Sequence, residues 1–370
     1  MTHAVAAVIE QAGAPFVRVD IDLDEPRAHE VLVRIEAVGM CHTDLSVRTG
    51  SIPFPLPAVL GHEGAGVVEA VGAGVTKVAA GDRVLMSFTS CGQCVPCLTG
   101  RPVQCVHWPA LNLLGGSRLD GSATVRRRTG EAPLHGHFFG QSSFASHALA
   151  SERNVIRVDA DAPLDLHAPL GCGVQTGAGA VFNVLAPQAG STLVVFGAGA
   201  VGLSALLAAV NTPATRVILV DLNESRLALA RKLGATEVIN GKDTAVVAAI
   251  RDLTGDGADY TLETTGNTRV LRQAVDALAV GGVCGVVGAP PFGSEVHLDA
   301  AQMPVRHPRI VGISMGNAVP EAFLPALIEL RRQGRFPVDE LITHFAFDEI
   351  ESAAAAMHGG EVIKPVLRLS

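Results

Sequence analysis

Leu193-Val-Val-Phe-Gly197-Ala-Gly199-Ala-Val-Gly202 is the stretch that decides the fold. An apolar run of strand length ends in a glycine, and the pattern G-x-G-x-x-G then leads into a second apolar run of helical length. The first glycine allows the tight turn, the second lets backbone approach a pyrophosphate, and the third lets helix pack on strand. Asp221 closes the next apolar strand, Val217 to Val220, where an acid accepts hydrogen bonds from the adenosine ribose and repels a 2′-phosphate. The turn therefore predicts a dinucleotide site, and Asp221 predicts NAD rather than NADP.

Outward from this turn the same rhythm continues. Strand-like segments at Glu237 to Ile239, Tyr260 to Leu262 and Val283 to Val287 alternate with helical spacing at Ser225 to Leu233 and Thr268 to Leu278. Such alternation predicts an α/β architecture, a doubly wound parallel sheet. The first third reads differently. Val31 to Val38 and Ala65 to Val71 are short β-branched runs punctuated by glycine and proline, the texture of a β-rich domain. The tail offers a helix at Ala322 to Arg332 and a final strand at Val362 to Leu369. Arg126 to Arg128 reads as a solvated loop.

With 370 residues, 48% of them hydrophobic, the chain has enough apolar material for two cores. Its net charge of -8 repels a phosphate backbone, which excludes nucleic acid as the expected partner. No signal peptide precedes the first strands, so a cytoplasmic location is expected. The charge-free stretch Leu193 to Val210 is interrupted by the glycines of the turn and predicts strand and helix, not a membrane span.

Seven cysteines, at 41, 91, 94, 97, 105, 172 and 284, are too clustered for a disulfide framework. Four of them form Cys91-Gly-Gln-Cys94-Val-Pro-Cys97, with Cys105 after a further seven residues. Two-residue gaps aim thiolates at one point, and four thiolates close a tetrahedral shell, the arrangement of a structural zinc site. A second set is predicted from Cys41, His62 and Cys172, three ligands that would leave an open position on a catalytic zinc. Glu63 lies beside them. Asp44 is expected to accept from the ring N–H of His62, and Thr43 to carry a proton away from a bound alcohol. Cys172 immediately precedes the change to parallel-sheet texture, which predicts a metal at the domain junction.

Together these motifs resemble the zinc-dependent alcohol dehydrogenases of the medium-chain dehydrogenase/reductase superfamily, over essentially the whole chain. Gly61-His-Glu-Gly-Ala-Gly66, continuing from Gly72 to Val75, looks like the family's zinc signature. The resemblance implies a GroES-like catalytic domain at 1–173 and 317–370, with a structural-zinc lobe at 91–105 and a Rossmann coenzyme domain at 174–316. It implies two zinc ions per chain, with Cys41, His62 and Cys172 on the catalytic one and Glu63 able to approach it. It also implies coenzyme contacts from His42, Thr176, Gly197, Gly199, Val201, Gly202, Asp221, Arg226 and Lys364. Ser46 stands where many relatives carry a histidine that finishes the proton relay.

Within the family, His137-Phe-Phe-Gly-Gln-Ser-Ser-Phe144 looks like the corresponding stretch of aryl-alcohol (benzyl alcohol) dehydrogenases. Phe88, Phe138 and Phe139 are the expected lining of an apolar substrate pocket. The long segment Asn112 to His137 suits dimeric relatives, so a homodimer is expected, with a homotetramer as the alternative. The implied activity is reversible, NAD-dependent oxidation of a primary, benzyl-type alcohol to the aldehyde. The alternatives are a terpenoid or allylic, polyol or thiol-adduct substrate, and, more distantly, a non-catalytic nucleotide-binding redox sensor.

Overall fold

The alternating β-branched and apolar segments of the middle of the chain form a six-stranded, wholly parallel sheet in this computed structural model, which describes every residue except Glu131, Ala132, Asp243, Thr244 and Ser370. In spatial order its strands are Glu237–Asn240, Arg216–Asp221, Thr192–Phe196, Ala258–Glu263, Leu278–Val286 and Arg309–Gly312. The first strand in sequence, Thr192–Phe196, lies third, between Arg216–Asp221 and Ala258–Glu263, and the order reverses there. Ligands of open parallel sheets bind at such a reversal, beyond the carboxyl ends of the strands.

Every residue of Thr192–Phe196 is buried, as a central parallel strand covered on both faces requires. Helices Glu224–Lys232 and Thr268–Asp276 begin at Asn223 and Asn267, whose side-chain oxygens accept from the backbone N–H two residues on. One apolar cluster joins Val194, Phe196, Ile218, Val220 and Ile239 to Val246 and Ile250 of helix Val246–Thr254. The quoted turn follows the central strand. Gly197 has φ of +100°, and a Cβ on Gly202 would stand 1.8 Å from the Gly197 carbonyl oxygen, so helix Ala200–Ala209 packs at glycine distance.

By contacts the chain divides into two compact units. The unit just described holds Gly173–Ala318 and Glu329–Val338. The other holds Met1–Cys172, Val319–Ile328 and Asp339–Ser370. It is built on β-sheets. Strands Ala58–Val59, Thr2–Ile9, Phe16–Leu23 and Val125–Arg127 form one of them. The second runs Ile342–Ala346, Lys364–Arg368, Glu30–Gly39, Glu63–Val71, Arg83–Met86 and Val155–Arg157, with His147–Ser151 also pairing with Glu30–Gly39. The final strand of the chain thus pairs antiparallel with Glu30–Gly39.

The basic run is not a loop. Val125–Arg127 is a strand against Phe16–Leu23, and its charges are paired: Arg126 with Asp24, Arg127 with Glu10 at 2.7 Å and Arg128 with Asp22 at 3.9 Å. Acids neutralise the run, and the Arg126 and Arg128 side chains stay about half exposed, so it is solvated as expected but in a strand. Among the described residues no helix is long and apolar enough to cross a membrane.

Candidate active site and metal centres

Cys41, the neighbours His62 and Glu63, and Cys172 are distant in sequence, and the second sheet of the β-rich unit helps bring them together. Glu30–Gly39 delivers Cys41, and the N-terminal end of Glu63–Val71 delivers His62 and Glu63. Cys172 ends the short turns that follow Leu164–His167. One ligand atom from each of Cys41, His62, Glu63 and Cys172 lies within 4.8 Å of all the others. His62 and Glu63 are fully buried.

Asp44 organises the set. Its Oδ2 accepts from the Cys41 amide at 2.9 Å, while its Oδ1 lies 3.1 Å from Nδ1 of His62 and accepts from the Gly61 amide at 3.1 Å. With Nδ1 taken, Nε2 is the nitrogen left for a ligand, and it is buried with no hydrogen-bond partner. Electrostatics favour a cation there. Burial presses His62 toward its neutral form, but Asp44 and the Cys41 sulfur outweigh it and raise the imidazole to about 10. A hydrogen bond from Cys172 holds Cys41 well below the ordinary thiol range. Negative charge that favours a proton on Nε2 favours a metal ion on the same lone pair. Two thiols, an imidazole and no compensating hydrogen bond on Nε2 form a donor set that fits zinc.

The second set fits as well. Cys94 Sγ and Cys97 Sγ are 3.5 Å apart, and Cys91 Sγ and Cys97 Sγ 4.0 Å. Four sulfurs each about 2.3 Å from one zinc stand about 3.8 Å from one another. Backbone N–H groups of Cys91 and Cys94 point at Cys105 Sγ and Cys91 Sγ. Hydrogen bonds from backbone lower the Cys94 thiol to about 6, while burial pushes Cys105 up to about 12.

Around the first set the sequence expectations divide. Thr43 Oγ1 lies 3.7 Å from Cys41 Sγ, and His42 begins helix His42–Arg48 in an exposed position. Ser46 sits on that helix, its carbonyl accepting from Ile52 N at 3.1 Å. Lys364 pairs with an acid of the metal set. Expected at a pyrophosphate, it is 1% exposed inside the β-rich unit, with Nζ 2.9 and 3.0 Å from the Glu63 carboxylate and 3.0 Å from the Met40 carbonyl. Burial opposes its charge, and Glu63 more than restores it. The ion pair holds Glu63 beside the ligands, and no local pattern in the sequence marks a partner three hundred residues away.

Phe88, Phe138 and Phe139 are all buried. The last two pack on the imidazole itself, Phe139 stacked at 4.4 Å between centroids and Phe138 edge-on at 5.3 Å. Trp108 touches Phe139 edge-on at 5.8 Å. Gln141 was not anticipated. It joins the His62 carbonyl, the Ser87 carbonyl and the Gly64 amide, each at 3.0 Å.

In the parallel-sheet unit, a Cβ on Gly199, which caps helix Ala200–Ala209, would meet nothing within 4 Å, so the turn leaves an open cradle at a helix N-terminus. Val201 lies in the first turn of that helix. Asp221 accepts from the amides of Ala198 at 2.6 Å, Leu222 at 2.7 Å and Asn223 at 2.8 Å. A carboxylate has about four acceptor positions, which leaves one for a hydroxyl. Arg226 lies on the helix that follows, its Nε buried without a hydrogen-bond partner. Thr176 is buried on helix Gly173–Gly179. These residues fit a dinucleotide.

A glycine turn at the reversal of a parallel sheet, with a cysteine–histidine set and a four-cysteine lobe in a β-rich unit, defines a zinc-dependent nicotinamide oxidoreductase. Residues 27–160 match the family model of the alcohol dehydrogenase GroES-like domain, and residues 200–331 that of the zinc-binding dehydrogenases. A geraniol dehydrogenase of Castellaniella defragrans is 45% identical over 365 residues, covering 98% of this chain and 97% of that protein. The crystal structure of benzyl alcohol dehydrogenase from Acinetobacter calcoaceticus is 44% identical with a TM-score of 0.96, and all of both chains is covered. That of an alcohol dehydrogenase zinc-binding domain protein from Burkholderia ambifaria is 51% identical, also with a TM-score of 0.96, covering 100% of this chain and 99% of the other. The chain belongs to the zinc-containing alcohol dehydrogenases of the medium-chain dehydrogenase/reductase superfamily. The expected fold, GroES-like domain plus Rossmann sheet, is the observed one, and the activity is that of a zinc alcohol dehydrogenase.

Proposed function

We propose that this enzyme oxidises primary alcohols whose carbinol carbon is attached to a π-bonded carbon, with benzyl-type alcohols foremost, and that it uses NAD. The observation that carries the reading is the aromatic cluster at the candidate metal site: Phe138 and Phe139 packed on His62, with Trp108 behind Phe139. Aromatic surroundings receive flat unsaturated substrates and exclude water. Benzyl alcohol and geraniol, named in two relatives at similar identity, share the unsaturated carbon next to the carbinol. Terpenoid alcohols therefore stand as the second reading.

Cys41, His62 and Cys172 would hold the catalytic zinc, and Cys91, Cys94, Cys97 and Cys105 the structural one. When bound, zinc supplies Lewis acidity and NAD supplies a hydride acceptor. The chain's residues do the rest. Asp44 keeps the proton on Nδ1 of His62, so Nε2 stays a donor of its lone pair. Thr43 Oγ1, beside Cys41 Sγ, would relay the alcohol proton, accepting it as its own hydroxyl proton passes on toward solvent. Lys364 holds Glu63 next to the ligands. The Gly197–Gly202 turn, Asp221 and Arg226 receive the dinucleotide, with Thr176 and His42 as its further contacts.

The test is steady-state kinetics with benzyl alcohol, geraniol, hexan-1-ol and S-hydroxymethylglutathione, each with NAD and with NADP. The expected order of kcat/KM places benzyl alcohol first, geraniol next and the saturated alcohol last, with NAD preferred. Cys41→Ser should abolish turnover while NAD binding survives. A preference for hexan-1-ol or the thiol adduct sinks the substrate reading, and full activity of Cys41→Ser sinks the catalytic-zinc reading.

A further inference from the structure

The segment His137–Ser142 has a backbone that its residue types do not favour. His137, Phe139 and Ser142 have φ of 65°, 50° and 53°, and Gly140, between them, has 68°. A bulky side chain in the left-handed region is a conformational outlier that persists only where surroundings over-determine it. Here they do. Asn154 Nδ2 donates to the Phe139 carbonyl at 2.9 Å and to the Ser87 carbonyl at 3.1 Å. Ser142 Oγ donates to the Val59 carbonyl at 2.7 Å and accepts from the Phe138 amide at 2.9 Å. Gln141 ties the segment to the His62 carbonyl and the Gly64 amide, and the Ser143 and Phe144 amides reach the carbonyls of Gly61 and Leu60 at 2.9 Å. The segment is therefore fastened on both sides of the chain that carries His62.

What this fastening delivers is the Phe139 ring. It lies nearly parallel to the His62 imidazole, with 21° between the planes, and Trp108 backs it edge-on. Asp44 fixes the imidazole at one atom, Nδ1, and Phe138 meets it edge-on at 5.3 Å, which leaves tilt of the ring plane to be limited by a partner on its face. A flat face against the imidazole removes that tilt.

We propose that Phe139 is a positioning residue for His62: its ring, presented by a strained left-handed backbone, holds the imidazole in the plane in which Nε2 meets the sulfurs of Cys41 and Cys172. The inference rests on the reading of Cys41, His62 and Cys172 as a zinc site. It separates two roles that an aromatic wall confuses. A residue that only lines a substrate pocket affects KM and substrate choice, whereas one that orients a ligand affects the metal before any substrate is present.

The experiment uses the holoenzyme and two readouts without substrate. One is the rate at which a chelator removes each of the two zinc ions, and the other is the visible absorption of protein with cobalt(II) exchanged into the Cys41, His62 and Cys172 site. Wild-type protein must first show two zinc ions per chain; one only means that the reading of the site has failed, not the role of Phe139. Phe139→Leu keeps a branched apolar side chain, smaller than the ring and without a flat face. It is expected to release one zinc about tenfold faster, the other at the wild-type rate, and to shift the cobalt bands, as losses around a metal ligand typically do. Phe139→Tyr, which restores the face, is expected to return both readouts to wild type. Should Phe139→Leu fail to fold, Asn154→Ala, which frees the Phe139 carbonyl but keeps the ring, carries the test with a smaller change of the same sign. Unaltered zinc release and cobalt bands in the folded variants, whatever happens to KM, overturn the proposal.

Discussion

His137 is 8% exposed, sits in the left-handed region and has an Nδ1 buried without a hydrogen-bond partner. Burial lowers its pKa to about 4, against a smaller upward pull from Glu30 and a further downward push from Arg118. Above pH 6.5 the imidazole is neutral in folded and unfolded chains alike, and it contributes no pH dependence. Below 6.5 the unfolded chain takes up a proton that the folded chain refuses until about pH 4. Stability therefore falls with acidity across that window, and the loss approaches about 3 kcal/mol for a shift of this size. His137→Asn keeps a residue tolerant of positive φ and removes the titration. Urea unfolding at pH 7 and at pH 4.5, followed by the fluorescence of Trp108, should show a smaller acid loss in the variant by about that amount. Equal losses in the two proteins would mean that His137 is protonated inside the fold.

At the scale of elements, helix Val95–Leu98 in the four-cysteine lobe has no buried residue, and Val95, Leu98 and Val106 are 69%, 71% and 65% exposed. A lobe with so little core of its own depends on its metal for shape. Trp108, the single tryptophan of the chain, donates its amide to the Cys105 carbonyl at 2.8 Å and reports on that shape. Cys105→Ser should lose one zinc and move Trp108 emission to longer wavelength as the indole comes away from Phe139; a wild-type spectrum in the metal-depleted variant would refute this. The lobe was legible because thiol spacing is chemistry written locally, and the parallel strands were legible because burial on both faces demands unbroken apolar runs. Helix Gly173–Gly179 was not. Three glycines in seven residues argue against a helix, yet a Cβ on Gly177 would lie 2.0 Å from the Val201 carbonyl oxygen, so close packing on helix Ala200–Ala209 overrides propensity. The left-handed Phe139 has no sequence signal either. Its conformation is imposed by Asn154, Gln141 and Ser142 through partners scattered from Val59 to Ser87.

For the whole molecule, the distribution of sites between the units has a measurable consequence. Both candidate metal sets lie in the unit that holds Met1–Cys172, and the glycine turn with Asp221 and Arg226 lies in the unit that holds Gly173–Ala318. A ligand stabilises what it binds by an amount that grows with the logarithm of its concentration over its Kd, about 2.7 kcal/mol at a hundredfold excess. Hydrogen exchange can resolve where that stabilisation falls, because amides open in cooperative blocks. Stripping the zinc should speed exchange at 39–45, 61–64 and 87–114. The buried strands Thr192–Phe196 and Arg216–Asp221 should keep their protection. NAD added to the stripped protein should then slow exchange at 197–203 and 221–226 by up to about a hundredfold at that excess, without restoring the metal-bearing segments. If chelation instead accelerates the two parallel strands as much as the cysteine lobe, the units open as one cooperative block and the metal stabilises the whole chain.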